Sequence, residues 1–229
     1  MLILAIESSA KPVSVAVYNT NDGRLLGQYF QNNEFSHSRT LLALAESLLK
    51  NLDIKPSGLG LIAVAHGPGS FTGVRIGVSA AKGLAWGLDI PVCGVSTLEA
   101  MAFQTPDPGV IICPVMDARR QQVYNALFEW RDGVLLRLCE DRAISLDDLS
   151  ADLRKYSSPG LLVGDGFNVC MQHQGFSDCR TAPELLRYQT AYGVALAAVS
   201  AEHIPSADLE PVYLRPSQAE RERNDKKRK

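Results

Sequence analysis

Residues 110–117 read VIICPVMD and residues 2–7 read LILAIE, two short aliphatic runs that each end on an acid. Around both, the same order of events unfolds. LILAIE is followed by VSVAVYN (13–19), the turn residues Asn21, Asp22 and Gly23, and RLLGQYF (24–30), which reads as three strands joined by tight turns. VIICPVMD is followed by QQVYNALFEW (121–130), the turn RDG, and VLLRLCE (134–140). Laying Asp117 over Glu7 puts Asp132-Gly133 over Asp22-Gly23 at the same offset of 110. Val13 then falls on Val123, Ala16 on Ala126, and Leu25-Leu26 on Leu135-Leu136.

Each meander leads into a helical pattern. In SHSRTLLALAESLLKNL (36–52), Leu41, Leu44, Ala45 and Leu48 recur at helical spacing and Ser38 is the expected N-cap. In the second half the helix is SLDDLSADLRKY (145–156). A further strand ending in glycines comes next in both, GLGLIAVAHGPG (58–69) and GLLVGDGFN (160–168). Strands alternating with helices after a hairpin predict a mixed α/β sheet in each half. The duplication predicts two similar halves around a cleft, with the acid-ended strands pointing into it. The expected division is 1–102, 103–189, a C-terminal segment 190–215 packing back on the first half, and a charged tail 216–229 read as a frayed terminus.

Composition narrows the function. A net charge of −2 gives no bulk electrostatic grip on nucleic acid. Five cysteines with no CxxC pair fit reduced thiols in a cytosol. No basic n-region precedes the first apolar run, and no stretch approaches the ~20 apolar residues of a membrane span. These features lead us to expect a cytoplasmic protein without membrane contact.

Catalytic signatures fail one by one. The four histidines, His37, His66, His173 and His203, offer no i, i+4 pair for a metal, so a metallopeptidase reading lacks its ligands. In AHGPGSFTGVRIG (65–77), Gly73 is followed by Val74 and Arg75, not by the lysine and hydroxyl of a phosphate loop. Ser70 lacks the flanking glycines of a nucleophile elbow. Glu7 and Asp117 could hold magnesium with a nucleotide across the cleft. Ser8, Ser9 and Arg119 would then meet an anion, which makes an ATP-dependent small-molecule kinase or ATPase the alternative reading.

After the glycine loop, TGVRIGVSAAKGLAWGL (72–88) is a helix with Thr72 as expected N-cap. Val74, Val78, Leu84 and Leu88 supply an inward face. Gly73, Gly77 and Ala81, with Ala80 alongside, form a stripe of small residues, and each interior glycine forfeits about 1 kcal/mol of helix propensity. Close packing must offset that, against the protein's own sheet or against a partner; the spare stripe favours a partner. The preceding helix also has two apolar sides. The expected partner surface therefore comprises Leu41, Leu42, Ala45, Leu49, Gly73, Arg75, Gly77, Ala80, Ala81 and Leu84.

Five segments resemble the bacterial TsaB (YeaZ) family: GPGSFTGVRIG (67–77), AKGLAWG (81–87), GVSTLEAMA (94–102), MDARRQQVY (116–124) and PVYLR (211–215). The likeness runs in order over about the first 215 residues and thins across CMQHQGFSDCRTAPELL (170–186). It implies the duplicated actin/Hsp70/sugar-kinase fold (the ASKHA, RNase H-like class). It further implies a non-catalytic relative of TsaD, pairing with TsaD through the two N-terminal helices and self-associating there when TsaD is absent. The TsaE ATPase would join that pair, and TsaC would supply threonylcarbamoyl-AMP. The implied pathway makes threonylcarbamoyladenosine (t6A) beside the transfer RNA anticodon. The protein would then have no cofactor of its own, with ATP or ADP entering only at the assembled complex and tRNA contacted indirectly.

Overall fold

The computed structural model describes residues 1–33 and 37–215. The first half opens with β1 (Leu2–Glu7), β2 (Val13–Asn19) and β3 (Arg24–Gln31), an antiparallel meander. Helix α1 (His37–Asn51), β4 (Leu61–Gly67), α2 (Phe71–Leu88), β5 (Val92–Ser96) and α3 (Thr97–Phe103) follow. The sheet order is β3-β2-β1-β4-β5, with β4 parallel to β1 and β5. Both faces are covered, which is why β1 and β2 read as continuous apolar runs. Leu4, Ile6, Val15 and Val17 face α1 and α2, while Ile3, Ala5 and Ala16 face the other way.

The second half repeats the plan. β6 (Ile111–Asp117) is its central strand, followed by β7 (Gln122–Asn125), β8 (Phe128–Arg131), β9 (Val134–Arg137), β10 (Arg142–Ser145), α4 (Leu146–Leu153) and β11 (Gly160–Val163). A short α5 (Phe167–Met171), β12 (Arg180–Thr181) and α6 (Glu184–Arg187) complete it. The main path of this sheet runs β10-β7-β6-β11-β12, with β8 pairing β6 and β9. β1 and β6 thus occupy the same place in their sheets, and so do β4 and β11.

The counterpart of β2, expected as one strand over 121–130, is split into β7 and β8. Val115 pairs with Asn125 and Ile112 with Phe128, so the register continues across the gap. Pro114 lies opposite the break, where its missing N–H removes a ladder bond. The Asn125 side chain compensates by donating to the Pro114 and Ala126 carbonyls, each at 2.9 Å.

The last helix, α7 (Ala191–Ala198), packs on the far face of the first sheet through Ala191, Val194 and Ala195. Helix α3 lies between the halves. Its Ala100 joins that first-half cluster, and its Leu98, Met101 and Ala102 join Ile112 and Met116 of the second. All five cysteines are free. Among the described residues no helix is long and apolar enough to cross a membrane. The tail 216–229, read from sequence as a frayed terminus, lies outside the described residues.

Both expected N-caps are corrected. Helix α2 starts at Phe71 and its cap is Ser70, whose Oγ accepts from the Gly73 amide at 3.3 Å. Thr72 is already helical. Ser38 likewise stands inside α1, which begins at His37. In α2 the reach of the Gly73 amide decides for Ser70 over Thr72.

Candidate functional site

Where each central strand ends, its acid folds back on its own chain. Glu7 Oε1 accepts from the Ser9 amide at 2.6 Å, and Asp117 Oδ1 accepts from the Arg119 amide at 2.7 Å. The two bonds are one motif at an offset of 110. Between these turns lies a cleft of about 600 Å³ whose walls include Ser9, Lys11, Ser70, Asp117, Arg119 and Asp165.

The glycine loop of 67–73 closes the first-half wall. The Ser70 amide donates to the Ser9 carbonyl at 2.6 Å, and Ser8 Oγ donates to the Gly73 carbonyl at 2.9 Å. A Cβ on Gly69 would stand 2.4 Å from the Ser9 carbonyl oxygen, and one on Gly73 would stand 2.1 Å from that of Ser8. Those glycines exist because two backbones touch there. In the second half the glycine turn also meets the central strand, but earlier along it, with the Gly166 amide donating to the Val115 carbonyl at 3.0 Å.

Burial sets the electrostatics. Glu7 is fully buried and its Oε2 has no hydrogen-bond partner among the described residues. Desolvation, opposed by its bonds to Ser9 and reinforced by the Asp165 charge, pushes its carboxyl from 4.5 up to about 7. Asp165 comes from the glycine turn after β11 and is also pushed up by burial, although Gln189 Nε2 donates to its Oδ1 at 2.7 Å. Two buried acids from opposite halves thus both have raised carboxyls, and the charge of Asp165 acts on Glu7. Among the described residues, no three acidic, histidine or cysteine side chains converge in an arrangement that could hold a metal ion.

On the opposite wall, Arg119, Arg120 and Gln121 adopt φ of 62°, 57° and 57°. Three successive left-handed residues that are not glycine cost roughly 1–2 kcal/mol each. The C-terminal segment anchors the residue before them, since Arg215 Nη1 donates to the Ala118 carbonyl at 2.9 Å.

Outside the cleft, α1 and α2 lie side by side and leave an open, mainly apolar groove of about 620 Å³. Leu42, Phe71, Arg75, Ile76 and Ala80 line it, and Leu42 is 51% exposed. At the far end of α2, Trp86 is 82% exposed. Exposed apolar surface of this kind marks protein contacts.

The stripe expected to face a partner does not face outward. Gly73, Gly77 and Ala81 are buried, and a Cβ on Gly77 would meet Ser8 Oγ at 2.4 Å and Val64 Cγ2 at 3.3 Å. The stripe lets α2 sit on β1, β4 and the β1–β2 turn, so its close packing is internal. Leu41, Ala45 and Leu49 are also buried in the core of the first half. Leu42 and Arg75 are exposed, and Ala80 and Leu84 are half-buried. Sequence reading missed Asp165, Tyr213 and Arg215 as parts of the site. The glycine turn GDG, matching GPG in the repeat, carried the only signal for Asp165.

Of the residues expected in the cleft, Ser9, Asp117 and Arg119 line it, whereas Glu7 and Ser8 are buried behind its wall because the glycine loop covers them. Two α/β halves of matching topology around that cleft define a two-lobed protein of the actin-like class. The family model described as TsaD, tRNA N6-adenosine threonylcarbamoyltransferase, matches residues 31–167. The Bacillus subtilis tRNA threonylcarbamoyladenosine biosynthesis protein TsaB is 38% identical over 164 residues, covering 72% of this chain and 71% of that protein. Its Escherichia coli counterpart is 30% identical, covering 74% and 73%. The structure of YeaZ from Pseudomonas aeruginosa superposes with a TM-score of 0.79 at 24% identity, covering 93% of this chain and 99% of that one. The chain belongs to the TsaB (YeaZ) family.

Proposed function

We propose that this protein serves t6A formation in transfer RNA as a non-catalytic partner, gripping a TsaD-type transferase subunit through the α1/α2 groove. The observation that carries this reading is the contrast between the two surfaces. The cleft's first-half turn is covered by the chain's own glycine loop, with Ser8 and the Ser9 carbonyl already engaged. The groove, by contrast, leaves Leu42 and its neighbours open. The names of the relatives place them in t6A biosynthesis. On this reading the protein works in the cytoplasm and has no cofactor of its own. It self-associates through the groove when TsaD is absent, while TsaE and any ATP or ADP join only at the assembled complex.

Reconstitution tests it. TsaC, TsaD, TsaE, tRNA, threonine, bicarbonate and ATP are combined with and without this protein, and the modified nucleoside is quantified. Product should rise by at least about a hundredfold when the protein is added, corresponding to about 3 kcal/mol of barrier. Without TsaD the protein should make none. Product that is indifferent to its presence overturns the reading.

A further inference from the structure

Residues 204–215 return along the first half and end on the second. Ile204 pairs with Val92 through amide–carbonyl bonds of 2.9 and 2.8 Å, and the Val212 amide donates to the His66 carbonyl at 2.7 Å. Gly67, at φ +127°, makes room for that crossing, because a Cβ there would lie 2.2 Å from the Val212 carbonyl oxygen. The Tyr213 ring then stacks on Phe71 with centroids 4.6 Å apart, and its hydroxyl accepts from Arg75 Nε at 2.8 Å. The Arg75 guanidinium itself lies 3.8 Å from the Phe71 ring centre. Two residues on, Arg215 holds Ala118 at the edge of the strained 119–121 turn.

Phe71 lines both the groove and the cleft, while Arg75 lines the groove and Tyr213 the cleft. The three-residue stack is therefore the wall between the two. From this geometry we infer that the strap 211–215 transmits occupation of the α1/α2 groove to the rim of the interlobe cleft. A partner seated in the groove covers Phe71 and Arg75 and removes water from the stack, which strengthens the aromatic and cation contacts holding Tyr213. With Tyr213 fixed, Arg215 holds Ala118 and the turn beyond it. The inference rests on the docking reading above, and it adds that docking stiffens a site the partner does not touch.

Residue-resolved hydrogen exchange on the full chain, alone and saturated with the transferase subunit, tests it. Occupation should slow exchange at Val212, Ala118 and Gln122 by about tenfold, besides protecting α1 and α2. Tyr213→Ala should keep the protection of α1 and α2 and lose the remote slowing to within about twofold. Arg215→Ala should keep the response at Val212 and lose it at Ala118 and Gln122. Protected helices with no remote slowing in the wild type overturn the inference, as does remote slowing that survives Tyr213→Ala. Absence of both helix protection and a complex sinks the docking reading, and the strap's role with it.

Discussion

Leu42→Asp combined with Ala80→Arg is expected to weaken pairing with the transferase subunit by at least about a hundredfold, because apolar anchors at interface centres carry ~2–4 kcal/mol each. Leu42 is exposed, and Ala80 is half-buried at the groove edge of the first-half core. The melting temperature of the double variant should therefore fall by no more than about 4 °C, equivalent to ~1 kcal/mol, most of it from Ala80→Arg. Gly77→Leu should do the reverse. Its side chain would have to enter space held by Ser8 Oγ and Val64, and it cannot turn outward because the position faces the sheet. Overpacking there, together with loss of the β1–β2 turn contacts, should lower the melting temperature by about 10 °C, equivalent to ~3 kcal/mol in a chain of this size. Ala81→Arg, which would bury an unpaired charge at a fully buried position, belongs to the same destabilising group. Calorimetric titration and thermal melting of the variants separate the two effects. Full affinity in the groove double variant removes the groove as the docking face, and a wild-type melt for Gly77→Leu removes the internal role of the stripe.

That contrast shows where sequence reading stops. The repeat was legible because acids, turn residues and apolar runs carry fixed local geometry. Gly23, Asp132 and Gly133 all adopt the positive φ that the turns demand, and Glu7 and Asp117 make the same backbone bond. The small-residue stripe was legible as close packing, yet spacing alone does not say against what. Gly73 and Gly77 could have met a foreign helix or the Ser8 backbone, and only the placement of the β1–β2 turn under α2 decides. Asp165 was missed because its role depends on the second half meeting the first. Tyr213 and Arg215 were missed for a similar reason, since each acts on residues about a hundred or more positions earlier. Pro114, in contrast, announced the break between β7 and β8 and could have been read directly.

Glu7 gives the second large effect, and its sign follows from where its proton resides. In the folded chain the carboxyl titrates at about 7 instead of 4.5, because burial penalises the charge. Below pH 4.5 both folded and unfolded chains hold the proton, and the group leaves stability unchanged. Between pH 4.5 and 7 only the folded chain keeps it, so stability falls as pH rises. Above pH 7 the fold must carry a buried charge, at a cost of about 3 kcal/mol. Glu7→Gln removes that cost while its amide oxygen can still accept from Ser9. Relative to wild type, the variant should gain little at pH 4.5 and about 3 kcal/mol by pH 8, as read from urea unfolding at a series of pH values. Asp165, raised by its own burial and by the Asp117 charge, keeps its shift in the variant. A gain independent of pH would mean that Glu7 is already paired or hydrated in the folded chain. A pH-dependent gain would instead make Glu7 an acid that the fold keeps at a loss near neutrality, so its retention would have to be explained by what the two halves do together in the assembled complex.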